Sequence, residues 1–180
     1  MIAVRPLGLE RVFEIIPRRF GDDRGFFSET YNRQRYSEAG ISEEFVQDNH
    51  SRSVKAGTLR GMHFQQAPFA QAKLLRVLQG AIFDVAVDIR PQSPDYGKWV
   101  GVELTADAGN QIFVPAGFAH GFVTLENDTQ VAYKVDNYYS AEHDRSISHA
   151  DPFIAIKWPD IGQAFTLSEK DANAPLLRDL

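Results

Sequence analysis

Apolar and polar residues alternate with a period of two through most of residues 72 to 136, in runs broken by turn formers. That period is the mark of antiparallel strands closing into a sandwich or barrel. In AIFDVAVDI, residues 81 to 89, one face carries Ala81, Phe83, Val85, Val87 and Ile89, the other Ile82, Asp84, Ala86 and Asp88. This reads as an apolar inner face and an acid-bearing outer one. LRGMHFQ, residues 59 to 65, also alternates, although an arginine, a glycine and a histidine interrupt it. Further strands are expected at RVFEIIP, GFFSETY, EFVQDN, AKLLRVLQ, KWVGVELT, NQIFVP, HGFVTLE and TQVAYKVD, with RPQSPDYG, ADAGN, PAGFA and END as turns.

Helix is scarce. NRQRYSEAG, closed by Gly40, predicts a short one, and SEKDA predicts another with Ser168 as its N-cap. With no internal repeat, low-complexity tract or linker, the pattern predicts one all-β domain over residues 1–180, its core barrel at roughly 44–136, with short terminal helices.

Composition narrows the partners. The chain is 43% hydrophobic, enough for a core of its own, and its net charge of −5 with no basic run favours neither nucleic acid nor an anionic membrane. The absence of cysteine excludes disulfides, a thiolate nucleophile and cysteine-bound zinc. Arg5 and Pro6 stand where a signal peptide needs its apolar stretch, so a cytoplasmic location is expected.

The segment GNQIFVPAGFAHGFVT places Gly109, Pro115, Gly117 and His120 at the spacing of the second motif of cupins, with Thr124 where that motif has asparagine. The first cupin motif survives in outline. Gln65 stands where a second histidine belongs, and Lys73 replaces a glutamate, seven positions before Gly80. The chain thus resembles the cupin class, which implies a jelly-roll β-barrel. A protonated lysine offers no lone pair and repels a cation, so these departures turn a metal site into a cavity suited to anionic charge.

A single histidine on a strand is usually a hydrogen-bonded core or surface group. Here His63 has company. Lys73 shares parity with Leu75 and Val77, His120 with Phe122 and Thr124, and Tyr133 with Val131 and Val135. Inward polar groups on several strands of one barrel point to a ligand cavity.

Between residue 12 and about 177, the segments FGDDRGFFSETY, FVQDNHSRS, LRGMHFQ, QAKLLRVLQG, FDVAVDIRPQSPDYGKWV, IFVPAGFAHGF, YKVDNYYS, IKWPD and LSEKDANAPLL occur in the order of the dTDP-sugar epimerase family of the cupin class, the dTDP-4-dehydrorhamnose 3,5-epimerases, which the chain resembles. The resemblance implies an isomerase acting at carbons 3 and 5 of a dTDP-4-keto-6-deoxyhexose, without cofactor or metal, as a homodimer whose N-terminal strands lend residues to the neighbour. It implies His63 as general base, Asp171 as its carboxylate partner, Tyr133 as proton donor and Lys73 beside the sugar carbonyl. It further implies substrate contacts by Arg24, Phe27, Glu29, Gln47, Asp48, Asn49, Arg60, His120, Tyr139, Asp144 and Lys170.

Inverting a carbon beside a ketone requires a base, an acid across the ring and positive charge at the enolate oxygen. A neutral imidazole, with an unperturbed pKa of ~6.5, suits the first role, and a phenol and an ammonium suit the others. Arg24 and Arg60 offer forks for a diphosphate, although an isolated arginine is more often a solvated surface group. Strict alternation puts Arg60 on the face opposite His63. Either Gly61 marks a bulge, or Arg60 reaches a pocket formed with another subunit.

The chain departs from the family in HAD at 149 to 151, where Trp-Asn-Asp is usual, and in Asp144, usually glutamate. His50, His143 and His149 read as surface residues. Rival readings are an epimerase acting at carbon 3 or carbon 5 alone, a metal-dependent cupin oxygenase, and a binding module without catalysis.

Overall fold

The computed structural model describes residues 2–180. Its strands run β1 (Ile2–Pro6), β2 (Phe13–Pro17), β3 (Arg19–Asp22), β4 (Gly25–Ser28), β5 (Gln47–Ser53), β6 (Leu59–Gln65) and β7 (Lys73–Gln79). They continue with β8 (Ala81–Asp88), β9 (Trp99–Thr105), β10 (Gln111–Val114), β11 (Phe118–Thr124), β12 (Thr129–Val135) and β13 (Asp144–Ser146). The short helices are α1 (Arg33–Glu38) and α2 (Glu169–Ala172). In the first, Asn32 caps the amino end and Gly40, at φ +91°, follows the last turn; in the second Ser168 is the cap. Both were legible in the sequence.

Two antiparallel sheets face each other, one ordered β1-β2-β10-β7-β12-β5 and the other β13-β6-β11-β8-β9, while β3 and β4 pair separately as a hairpin. The fold is the antiparallel barrel that the alternation predicted, in the cupin-like form that the resemblance implied. Strands β1, β2 and β13, from outside residues 44 to 136, extend both sheets. Between the sheets lies a core built on Leu75, Ile82, Leu104, Ile112 and Phe122. A second core, with Met62, Val85, Val87 and Ile147, fills the space between the five-stranded sheet and the C-terminal segment. A third, around Ile15, Leu74 and Phe113, backs the six-stranded sheet beneath Tyr36 and Ile41.

This layering corrects the reading of β8. Its acid-bearing face looks into the barrel, since Ile82 and Ala86 belong to the inter-sheet core, and the all-apolar face lies under the C-terminal segment. Both faces are covered, so a polar side chain no longer marks the solvent side. Asp84 and Asp88 are wholly buried and both have partners: Asp84 meets His120, and Asp88 meets Arg90 and Ser93.

The parity conflict at Arg60 is resolved by a bulge. His63 lies opposite His120 and Arg60 opposite Phe122, so Gly61 and Met62 together face the single residue Gly121. Two residues against one shift the phase of the alternation, which returns Arg60 to the side of His63. Gly61 permits this because its φ is +139° and a Cβ there would stand 2.5 Å from Gly121 Cα.

Candidate active site

At one end of the barrel a cavity of about 450 Å³ opens between the sheets, lined by Arg60 and His63 of β6, Lys73 of β7, His120 of β11, Tyr133 of β12, and Asp171 of α2. A neighbouring lobe of about 390 Å³ shares His63, Lys73, Tyr133 and Lys170 with it and adds Gln47, Asn49, Tyr139 and Asp144. Strands β5, β6, β7, β11, β12 and β13 and helix α2 therefore converge on two adjoining lobes.

His63 Nε2 lies 2.5 Å from Asp171 Oδ1, across a sequence separation of 108 residues. This pairing leaves Nδ1 as the ring nitrogen available to accept a proton. Asp171 is only 4% exposed. Burial raises its pKa, but the His63 hydrogen bond and charge, the Ser168 hydroxyl and the Gly61 amide outweigh that and hold it below the usual carboxylate range. It is anionic at neutral pH, as an orienting partner must be. The α2 cap sets its position, with the Asp171 amide donating to Ser168 Oγ at 3.1 Å.

Lys73 Nζ donates to His63 O at 3.3 Å. Burial lowers its pKa from 10.5 to about 8; Asp84 and Asp144 resist that shift and Lys170 adds to it. The ammonium persists at neutral pH with little stabilisation to spare. Tyr133 shifts upward through burial, opposed by the positive charge of Arg60, so its phenol keeps its proton. His120 Nε2 lies 2.9 Å from each carboxylate oxygen of Asp84. This second His–Asp pair is buried deeper than the first.

At the mouth of the second lobe, Asp144 Oδ2 accepts from Tyr139 Oη at 3.2 Å and from Lys170 Nζ at 2.5 Å. Gln47 Nε2 donates to Asn49 Oδ1 at 2.9 Å. Asp48, between them, points to the opposite face of β5, where Lys134 Nζ pairs with it at 2.8 Å, because successive side chains of a strand alternate. Arg24, Phe27 and Glu29 also lie away from this chain's cavity. Arg24 is held by Asp22 in the exposed β3–β4 hairpin, Phe27 is 70% exposed, and Glu29 pairs with Arg35 at 3.0 Å.

Sequence reading missed Asp84, which an inverted β8 had placed outside. It also missed the wall from Thr166 to Ser168, whose main chain joins β6 through Leu59 N to Thr166 O at 3.0 Å. No periodic signal marks an irregular segment of this kind. Gln65 is committed to structure: its amide donates to Phe69 O and Tyr138 O and accepts from Ser140 N at 2.6 Å. Of the three histidines read as surface groups, His50 is exposed and His143 packs on Phe69. His149 departs from that reading, since its Nδ1 is buried without a partner.

A cupin-like barrel whose cavity gathers a histidine paired with a buried aspartate, a depressed lysine and an un-ionised phenol belongs to the class built for proton transfer at a carbon acid. Comparison with known proteins agrees. Residues 6–179 match the family described as dTDP-4-dehydrorhamnose 3,5-epimerase, and the chain belongs to that family. It is 52% identical over 174 residues to the dTDP-4-dehydrorhamnose 3,5-epimerase of Sinorhizobium fredii, covering 97% of this chain and 89% of the relative. Among solved structures, the Bacillus anthracis dTDP-4-dehydrorhamnose 3,5-epimerase with TDP and PPi bound is 49% identical, with a TM-score of 0.94 over 98% of this chain and 99% of its own. The Legionella pneumophila dTDP-6-deoxy-D-glucose-3,5-epimerase, in complex with dTDP-4-keto-L-rhamnose, also reaches 0.94, at 46% identity over 99% of this chain and 94% of its own.

Proposed function

We propose that the chain inverts carbons 3 and 5 of dTDP-4-dehydro-6-deoxy-D-glucose to give dTDP-4-dehydro-L-rhamnose, a step of dTDP-L-rhamnose biosynthesis, in the cytoplasm and as a homodimer. The observation that carries the reading is the 2.5 Å His63–Asp171 contact on the wall of the cavity that also holds Lys73 and Tyr133.

His63 takes the proton from the carbon beside the 4-keto group, and the electron pair moves onto the carbonyl oxygen as an enolate. Asp171 offsets the imidazolium charge and Lys73 the charge on the enolate oxygen. Tyr133 delivers a proton to the opposite face, collapsing the enolate to the inverted ketone. The tyrosinate then regains a proton from water while His63 releases its own, and the cycle repeats at the second carbon. In this reading Arg60 and His120, which line the cavity, hold the diphosphate and sugar, while Tyr139, Asp144 and Lys170 close the other lobe.

The homodimer reading is supported by the hairpin. Phe20 and Phe27, directly opposite each other in the hairpin, are 51% and 70% exposed on one face, and Phe26 is 62% exposed on the other; with the Arg24 cation at the turn, these apolar faces suit docking against a second copy. Among the described residues, no helix is long and apolar enough to cross a membrane.

The test is incubation with dTDP-4-keto-6-deoxyglucose in deuterated water, with label read by NMR. Deuterium at carbons 3 and 5 supports the proposal. Label at one carbon replaces it with a mono-epimerase, and binding without exchange replaces it with a binding module.

A further inference from the structure

The segment from Phe165 to Pro175 carries Asp171 at its centre and is gripped at both ends by one turn, Ser148 to Asp151. At the far end Ser148 N donates to Pro175 O at 2.8 Å, and just beyond it Leu177 N donates to Asp151 Oδ2 at 2.6 Å. At the near end the His149 ring meets Phe165 edge-on, with centroids 6.2 Å apart and planes at 73°. Trp158 braces the contact, packing on Phe165 at 6.3 Å and donating its Nε1 to His149 O at 2.9 Å. Phe165 lies three residues before Ser168, the cap that sets Asp171.

The His149 ring has one nitrogen, Nδ1, that is buried with no hydrogen-bond partner, beside a cavity of about 270 Å³. As a bare acceptor it is already an unpaired buried atom, and a charge would add to that cost. Protonation would place an N–H with no acceptor in the same spot, the more expensive arrangement. The titratable groups near the ring are both acids. Asp151 lines the cavity but spends its carboxylate on the amides of Phe153, Ile154 and Leu177, and Asp171 acts on the ring at longer range. Burial pushes the imidazole below its ordinary value, the Asp171 charge opposes it, and the balance leaves the ring neutral at pH 7.

We propose that His149 is a positioning residue whose neutral ring keeps the Phe165–Pro175 segment seated, so that its protonation in mild acid loosens Asp171 from His63. The inference rests on the epimerase reading for its consequence on rate. Its effect on the His63–Asp171 contact stands apart from the identity of the substrate.

The test compares wild type with His149→Phe, an aromatic that cannot titrate, in pH profiles of kcat/KM normalised to pH 8. In wild type the acid limb falls with a slope approaching two, one proton for His63 and one for His149. In the variant the slope is one, so each further pH unit costs wild type about tenfold more. Equal slopes overturn the proposal. In parallel, NMR of wild type labelled at its histidine rings follows the downfield proton of the His63–Asp171 hydrogen bond as His149 titrates. This measurement needs neither a variant nor turnover, so it separates failure of the inference from failure of the epimerase reading. Disappearance or displacement of that proton with the midpoint of the His149 ring signals, separate from the change that follows the His63 ring's own signals, supports the proposal; titration of His149 with no change at its midpoint refutes it.

Discussion

Replacing Lys73 by methionine separates what the ammonium costs from what it does. Lys73 shares a strand face with Leu75 and Val77, and its ammonium donates to His63 O at 3.3 Å. Burial takes its pKa from 10.5 to about 8. At pH 7 the amine is protonated in both the folded and the unfolded chain, so the folded state bears the whole difference. At ~1.4 kcal/mol per pH unit that is about 3 kcal/mol of destabilisation. Methionine keeps an unbranched side chain of similar length without the charge. Lys73→Met is therefore expected to be more stable than wild type by about 2–3 kcal/mol at pH 7, read as a higher urea midpoint, with turnover reduced by roughly 10²–10³. The pH dependence fixes the sign. Between pH 8 and 10.5 the unfolded chain binds more protons than the folded one, so wild-type stability rises with pH and the gap closes as both forms lose the proton. A variant less stable than wild type at pH 7, or an advantage that persists unchanged at pH 10.5, would refute the account of a buried, destabilised ammonium.

Three further outcomes follow from the geometry. Tyr133→Phe should lower product formation by ~10²–10⁴ while His63 goes on exchanging substrate protons with deuterated solvent; if exchange disappears together with turnover, Tyr133 is not the separate proton donor. Gly61→Ala sets a Cβ 2.5 Å from Gly121 Cα and 3.1 Å from His120 O at a φ of +139°, and these backbone atoms cannot rotate away. A loss of about 2–4 kcal/mol in urea unfolding is expected, and a change below about 0.5 kcal/mol would show that the bulge relaxes freely. Asp84→Asn removes the first of the charges that hold the Lys73 pKa up. The alkaline limb of kcat/KM should move to lower pH, and a limb that stays in place would exclude Lys73 as its source.

The period-two pattern was enough to locate the main strands of both sheets and to show which of Lys73, Tyr133 and His120 share an inward face, because in a sheet one-sided burial is written as alternation. Local chemistry was also enough for the Ser168 cap of α2 and for Gly40 closing α1. It failed where burial was not one-sided. With both faces of β8 covered, its acids were buried against hydrogen-bond partners, and only the packing of the C-terminal segment over Val85 and Val87 reveals this. Strand β13, three residues long, is shorter than any period can show.

The chain by itself determined the residue types, the strand phases and the resemblance that named the acid–base groups. Tertiary structure decided the rest: that Asp171 crosses 108 residues to meet His63, that a bulge at Gly61 turns Arg60 to the same side, and that Asp48 faces away from Gln47 and Asn49. The reason is physical. Alternation and capping depend on neighbours within a few residues, whereas a distance between side chains on different strands, or the depth that moves the Lys73 pKa, depends on how whole sheets and loops close over one another.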